Sequence, residues 1–491
     1  MILIFGLAFF NIALFSFSRL TLSDNQNKIL PAQRLSSDRS RRSEVSIVDG
    51  MLMTTSSYQK TNRTKSDGLG TTKGKIASTS ACLLMKDDNM LLDEWIAYHY
   101  YTAKLRYLVV AIDPTSTIPV AETQRTIFDK WMNETRRLAV KKYGKGRAND
   151  DFTLTIRTWS DQDFMPRAFL ERGYHVHPQS IKINASKSMY HMGHEDPETV
   201  RRDWQLIHNH RFRQVTFLSA CLRHTRDLGK QLVFHIDTDE FMTLSPVLVQ
   251  QATTRGIGTS GPNKSLSSNG GILPPPSIQQ PSQIAKFVYQ TLYKDPELYK
   301  RANFPCSTMP RLLFGSVEDT NRQDQSTLAE ITPKHLLDKS TFETLRWKYH
   351  TSYNDKERNA QPKVLVDVSR VTDSNDEMFR AKPFSIHRPS KKLCRRLDQI
   401  NFRLYQKYPL IVHHYLGSLT RYMNGRPNDP RRSLGTYLDK ANVTSGKTLD
   451  SRDYPQYAIE GWLDGFVKMM GRDAAFRLFG KRSKLVIPER N

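Results

Sequence analysis

One stretch limits what this chain can fold into more than any other: Leu232-Val233-Phe234-His235-Ile236-Asp237-Thr238-Asp239-Glu240-Phe241-Met242. It opens as a short apolar run, the pattern of a buried strand. It closes with three acids in four residues. Carboxylates crowded at the tip of a buried strand repel one another and lose hydration, so the fold must compensate them. A divalent cation does this, and oxygen ligands suit Mg²⁺ or Mn²⁺. The same cation can hold the diphosphate of a nucleotide. The plain alternative is an acidic turn that merely ends a strand, because a bare D-x-D is frequent by chance.

The stretch belongs to a series. Ala81–Met85, Tyr107–Ile112 and Phe152–Trp159 also have the composition of strands, and helical periodicity separates them. Leu92, Trp95, Ile96 and His99 keep helical spacing after the first. A helical segment runs from about Val120 to Lys142 after the second, and another spans Asp203 to Leu228 before the acidic stretch. Strands alternating with helices predict parallel pairing in an α/β sheet, where ligands gather at the carboxyl ends of strands. Lys86-Asp87, Asp113, Asp161, Asp237 and Asp239 all fall at such ends, so one acidic rim would collect them. Lys363–Val368 is a further strand. Phe384–Pro389 and Ile411–Ser418 each set histidine beside an apolar run, and Gly461–Phe466 opens a last helical segment.

Around this core lie segments of other character. Residues 1–18 have no charged side chain and are rich in Leu, Ile and Phe, which suits a signal-anchor or a signal peptide. Basic residues follow the run rather than precede it, so the charge flanks do not support a cytoplasmic N-terminus. Residues 19–79 are rich in Ser, Thr, Asn, Lys and Arg and read as a disordered stem. Residues 80–485 form the ordered domain. Within it, 250–283 is a Pro/Gly/Ser-rich surface insertion. Sequons stand at Asn62, Asn133, Asn184, Asn263 and Asn442. The formal charge of +24 suits phosphate-bearing or membrane partners, but it is spread widely with no zinc-finger or RNP-type motif, so no nucleic-acid partner is expected. Four cysteines without a C-x-x-C pair leave disulfides and buried thiols both open and make a zinc site unexpected.

Taken together, the motifs resemble the GT-A glycosyltransferases, and among them glycosyltransferase family 92 and related family-2-like enzymes. Cys82-Leu83-Leu84-Met85-Lys86-Asp87-Asp88 with Asp93-Glu94-Trp95-Ile96-Ala97-Tyr98-His99 is similar to the family's opening motif. Arg213-Gln214 with Cys221 resembles its Arg-Gln…Cys helix. Phe234–Phe241 resembles its I-D-x-D-E-F element, and Ser385-Ile386-His387 and His414-Tyr415 its late histidine elements. Asp87-Asp88 stands where the family has Asn-Glu, and Asp113-Pro114-Thr115-Ser116 where it has Asp-Asn-x-Ser. The resemblance implies a GT-A, Rossmann-like mixed sheet flanked by helices. It implies transfer of a hexose from a nucleotide-sugar, UDP-linked, to a hydroxyl of a glycan or glycoprotein acceptor. The reaction would be Mn²⁺- or Mg²⁺-dependent, with inversion. The setting would be the Golgi lumen, with the N-terminal segment in the membrane, or secretion if that segment is cleaved.

On this reading Asp239 is the leading metal ligand, and Asp237 contacts the ribose or the metal. Asp113 accepts from uracil or ribose, against the alternative of an Asp-Pro turn. Asp87 lines the nucleotide site or caps a helix. Arg213 neutralises a phosphate or lies on a solvated helix face. Trp95 and Trp462 are core rather than sugar platforms. A histidine completes the metal shell, His387 or His414, with His387 preferred because it follows a strand-like region and Arg388 beside it can meet phosphate. Glu318, Asp319 and Asp429 are open candidates for the acceptor base. A catalytically inactive glycan-binding relative and a metal-dependent phosphoesterase are the alternatives; the latter would usually need a two-metal cluster of histidines and acids, which the neighbourhood of Asp237 lacks.

Overall fold

Strand β1 (Thr79–Met85) is buried along its whole length, as is β2 (Leu105–Ile112), so both belong to the middle of a sheet rather than its edge. In the computed structural model the described residues are 78–144, 151–171, 197–245, 280–293, 305–315, 327–332, 335–347, 349–371, 387, 394, 405, 408, 410–424, 432–443, 459 and 461–485. The hydrophobic segment 1–18, nearly all of the stem, most of the insertion, Glu318, Asp319, Asp429 and the sequons Asn62, Asn184 and Asn263 lie outside them. Among the described residues no helix is long and apolar enough to cross a membrane.

The chain forms the mixed α/β structure expected from the alternation of strands and helices. Strands β3 (Thr155–Trp159), β4 (Leu232–His235), β6 (Cys306–Met309) and β10 (Lys363–Asp367) complete a six-stranded sheet in the order β3-β2-β1-β4-β10-β6. β3, β2, β1 and β4 run parallel, and β10 runs antiparallel to both β4 and β6. Alternate side chains of these strands enter two cores, one on each face. On one face helix α1 (Asn89–Thr102) is buried on nearly every side, between the sheet and a helix at Trp462–Met470. The other face packs against the long helix Pro197–Asp227 through Phe217, Leu218 and Leu222. A disulfide between Cys82 of β1 and Cys221 fastens that helix to the sheet, and a second joins Cys306 to Cys394. Links closing loops this long each remove on the order of 4–5 kcal/mol of unfolded-state entropy in the chain-entropy account.

A second sheet extends the acidic turn. β5 (Glu240–Leu244) pairs antiparallel with β11 (Leu410–Tyr415), which pairs parallel with β7 (Arg311–Phe314). A third sheet joins Thr327–Thr332, His335–Asp338 and Ser483–Leu485. The expected helix from Val120 to Lys142 is present with an interruption: a π-helical turn at Gln124–Phe128 separates Val120–Thr123 from Asp129–Tyr143. The Gln124 amide there bonds Asp129, and its carbonyl accepts from Thr158.

Candidate functional site

The acidic residues 237–239 form the turn between two sheets, β4 on one side and β5 on the other. Helix α1 fixes its backbone. Trp95 Nε1 donates to the Asp237 carbonyl at 3.0 Å, and Tyr98 Oη donates to the Met242 carbonyl at 3.0 Å. His99 donates through Nδ1 to the Trp95 carbonyl and accepts the Met242 N–H at Nε2, 3.3 Å away. Burial pushes the His99 pKa down to about 3, so it is a neutral bridge and not a titrating group. Thr238 reaches back to the end of β1, its hydroxyl donating to Asp88 at 3.0 Å.

β11 brings the next partners. His414 pairs with Glu240 in the ladder, and the Tyr415 N–H donates to the Asp239 carbonyl at 2.9 Å. That register sets His414 Nε2 3.4 Å from Asp239 Oδ2. Arg421, on the short helix Leu419–Asn424, stands 3.8 Å from the same oxygen and 2.9 Å from Glu343. Burial alone would lower the Arg421 pKa, but Glu343 and Asp239 outweigh it and raise it, so the guanidinium stays charged. Gly417 makes the space: its φ is +78°, and a Cβ there would lie 2.5 Å from the Arg421 guanidinium.

Asp237 points to the other side of the turn. Its Oδ2 is 2.7 Å from Lys363 Nζ, and Gln214 Nε2 lies 3.5 Å from its Oδ1. Lys363 also meets Glu240 Oε2 at 3.1 Å. Glu240 is fully buried and accepts the Asp237 N–H, which closes the turn from inside. His387 lies within the field of Lys363, Asp237, Arg311 and His235. Burial, then Lys363, push its pKa down to about 3. The structure thus sets His414, the second of the two histidines the sequence offered, beside Asp239.

Asp113 and Arg213 meet at the ends of β2 and β3, in a cluster with its own logic. Arg213 forks onto Asp161 with Nε at 2.9 and 3.0 Å, and its Nη1 donates to Asp113 at 3.0 Å. His210 Nδ1 meets the same Asp113 oxygen at 2.8 Å, and Thr115 donates twice to the other. Burial would raise the Asp113 pKa; the bonds from His210, Arg213 and Thr115 prevail and hold it well below the carboxylate range. In this arrangement Asp113 has both oxygens engaged within the protein, and Arg213 spends its fork on carboxylates. Of this cluster Asp161 lines a cleft of about 290 Å³, together with Ile112, Pro114, Val120, Trp159 and Asp163. Asp87, with φ +57°, accepts from the backbone and hydroxyl of Thr117 beside the same rim. Trp95 and Trp462 are wholly buried.

The donor set suits a hard divalent cation: a carboxylate and an imidazole nitrogen face each other at a separation that two neighbouring ligands of one ion can adopt. His414 Nδ1 is buried and has no hydrogen-bond partner among the described residues. No group of three His, Cys, Asp or Glu converges as a ready-made cage among those residues, so a cation held here would draw the rest of its shell from ligand and water. Sequence reasoning did not single out Lys363, Arg421, Asp88 or His210. His210 carried a signal, being three residues before Arg213 and so on the same helix face.

No protein-family model and no curated protein matches the chain.

Proposed function

We propose that this chain is a metal-dependent glycosyltransferase of the GT-A type, moving a hexose from a nucleotide-sugar, UDP-linked, to a glycan hydroxyl. The observation that carries the reading is the Asp239–His414 pair at the end of β4. The parallel strands β3-β2-β1-β4 followed by antiparallel β10 suit a nucleotide seated across their carboxyl ends. Asp239 and His414 would hold Mn²⁺ or Mg²⁺, which when bound supplies charge stabilisation of the leaving diphosphate. The protein's own part is positioning. Arg421, kept charged beside Asp239, adds positive potential where the diphosphate oxygens would sit. The apolar cleft walls take a flat base, and Asp237, more open than Asp239, presents its carboxylate toward the ribose.

Two disulfides are at home in an oxidising compartment, which supports a luminal enzyme of the Golgi. The sequon asparagines Asn133 and Asn442 are exposed, as glycan carriers must be. Membrane attachment through residues 1–18 and a glycan or glycoprotein acceptor belong to the same proposal.

The test is UDP release by the purified full-length chain across a panel of UDP-sugars with Mn²⁺. One sugar should support Mn²⁺-dependent release, and Asp239→Asn should lower it by about 100-fold or more with an unchanged unfolding profile. Absence of release from every nucleotide-sugar, or release indifferent to both Mn²⁺ and Asp239, would overturn the proposal.

A further inference from the structure

Away from the acidic rim a second cavity gathers positive charge. It has a volume of about 360 Å³ and lies between the helices Asp129–Tyr143 and Arg472–Phe479. The course of the first helix places it. Lys130, in the first turn, meets Asp93 of α1 at 3.1 Å, on the rim side of the sheet. Tyr143, in the last turn, packs against Phe152 just before β3 begins. The cavity borders Lys141, so it extends to the end of the sheet where the parallel strands start, opposite the carboxylates of the rim.

Four cations line it, Arg137 and Lys141 from one helix and Arg472 and Arg477 from the other, against two acids, Glu134 and Asp473. Arg137 and Lys141 are four residues apart and so share a helix face. Glu134 is already engaged. It is 4% exposed, and it accepts two bonds of 2.8 Å from Arg477 and one of 2.7 Å from Arg137. Lys141 and Arg472 are exposed and enter no ion pair among the described residues. Lys141 has a local reason for its place, since a cation in the last turn of a helix meets the negative end of the dipole. Arg472 has none: it is the first residue of its helix, where the positive end disfavours a cation. Cations gathered round one cavity also repel one another, and an anion between them reverses the sign of that interaction. The rest of the wall is apolar, made by Leu138, Met470 and Ala474.

We propose that this cavity binds a sugar that carries a phosphate or sulfate ester. The tetrahedral anion meets Arg137, Lys141 and Arg472 through charge-assisted hydrogen bonds. The sugar ring lays its C–H face on Leu138, Met470 and Ala474. The volume is that of a small-molecule site, and a lone inorganic anion would leave most of it unfilled. Nothing in this assignment depends on a metal or a nucleotide at the acidic turn.

The experiment titrates the full-length chain calorimetrically, at low salt, with glucose 6-phosphate, glucose 6-sulfate, inorganic phosphate and glucose. At least one ester should bind, and by about fivefold or more over inorganic phosphate, because only the ester covers the apolar wall. Whichever ester binds more tightly identifies the substituent. The double variant Lys141→Met/Arg472→Met removes both charges and keeps apolar stems. It should weaken the better ester by about tenfold or more. Both side chains are exposed and outside any ion pair of the described residues, so the fold does not depend on them. The matched double variant Arg136→Met/Lys468→Met takes the same charge from exposed positions that do not line the cavity, and should change affinity by less than about twofold. Equal losses in the two double variants would mean diffuse surface charge and overturn the proposal. So would inorganic phosphate binding as tightly as the better ester, or neither ester binding in the millimolar range.

Discussion

Two acidic clusters share one rim, and they differ in how their charge is met. At the ends of β2 and β3, Asp113 and Asp161 are 1% and 4% exposed and close on Arg213 in hydrogen bonds of about 3 Å. At the end of β4, Asp239 is 17% exposed, with His414 at 3.4 Å and Arg421 at 3.8 Å. The first cluster is complete within the protein; adding a ligand would break bonds it already has. In the second, His414 and Arg421 stand off from Asp239 by a distance that an incoming metal ion or phosphate can exploit, while Lys363 closes on Asp237 at 2.7 Å. Acids of the same type on the same rim thus divide into a structural set and an exchangeable one. The division is set by whether a guanidinium can fork onto them from a buried helix.

The comparison is most exposed at Arg213. Arg213→Met should leave Asp113 and Asp161 buried without their cation and cost about 3–5 kcal/mol in urea unfolding, the usual penalty for breaking a buried ion pair from one side. Asp239→Asn should change stability by less than about 1 kcal/mol, since the loose pairs it loses are worth little. Similar costs for the two variants would remove the distinction between a closed and an open cluster.

How much of this could be read from the residues follows from chain direction. β1, β2 and β4 announced themselves as apolar runs, and the acids just after them reached the rim because parallel strands all end on the same side. The rule fails for β10. Its acid, Asp367, sits at the opposite end, and the rim residue is Lys363, which opens the strand and reads in sequence as an unremarkable boundary. Arg213 illustrates a different limit. Its place on a helix beside Gln214 was visible, but its two carboxylate partners come from segments 52 and 100 residues away, and no local pattern encodes that meeting. His414 reaches Asp239 through the ladder register between β5 and β11, which apolar runs alone do not fix. The base candidates Glu318, Asp319 and Asp429 lie outside the described residues.

Within the open cluster the two late histidines should separate. His414→Ala should weaken Mn²⁺ by about tenfold or more, because it removes the imidazole facing Asp239. His387→Ala should change it by less than about threefold, since its electrostatic neighbours are Lys363 and Asp237. Calorimetric titration of Mn²⁺ into each variant reads the difference, and equal losses would mean that both rings belong to one site.

Titration separates the clusters by a smaller effect. The folded-state pKa of His387 is about 3, far below its unfolded value near 6.5. Between those values the unfolded chain binds the proton that the folded chain refuses. The stability linked to His387 is therefore fully present above about pH 6.5 and is lost progressively as pH falls. Going from pH 7.5 to 6.0, the loss from one such ring is about 1 kcal/mol at most. His235, behind the same turn and likewise held near 3, behaves in the same sense. Asp113 does not respond there. Its folded pKa is depressed, so its contribution stands above the ordinary carboxylate value and is lost only as pH falls below about 3.8. His387→Asn should accordingly flatten the decline of urea-unfolding free energy between pH 7.5 and 6.0 by about 1 kcal/mol. Asp113→Asn should leave the slope in that window as it is while lowering the whole curve. A wild-type slope in His387→Asn would place that ring in water and remove it from the neighbourhood of Lys363.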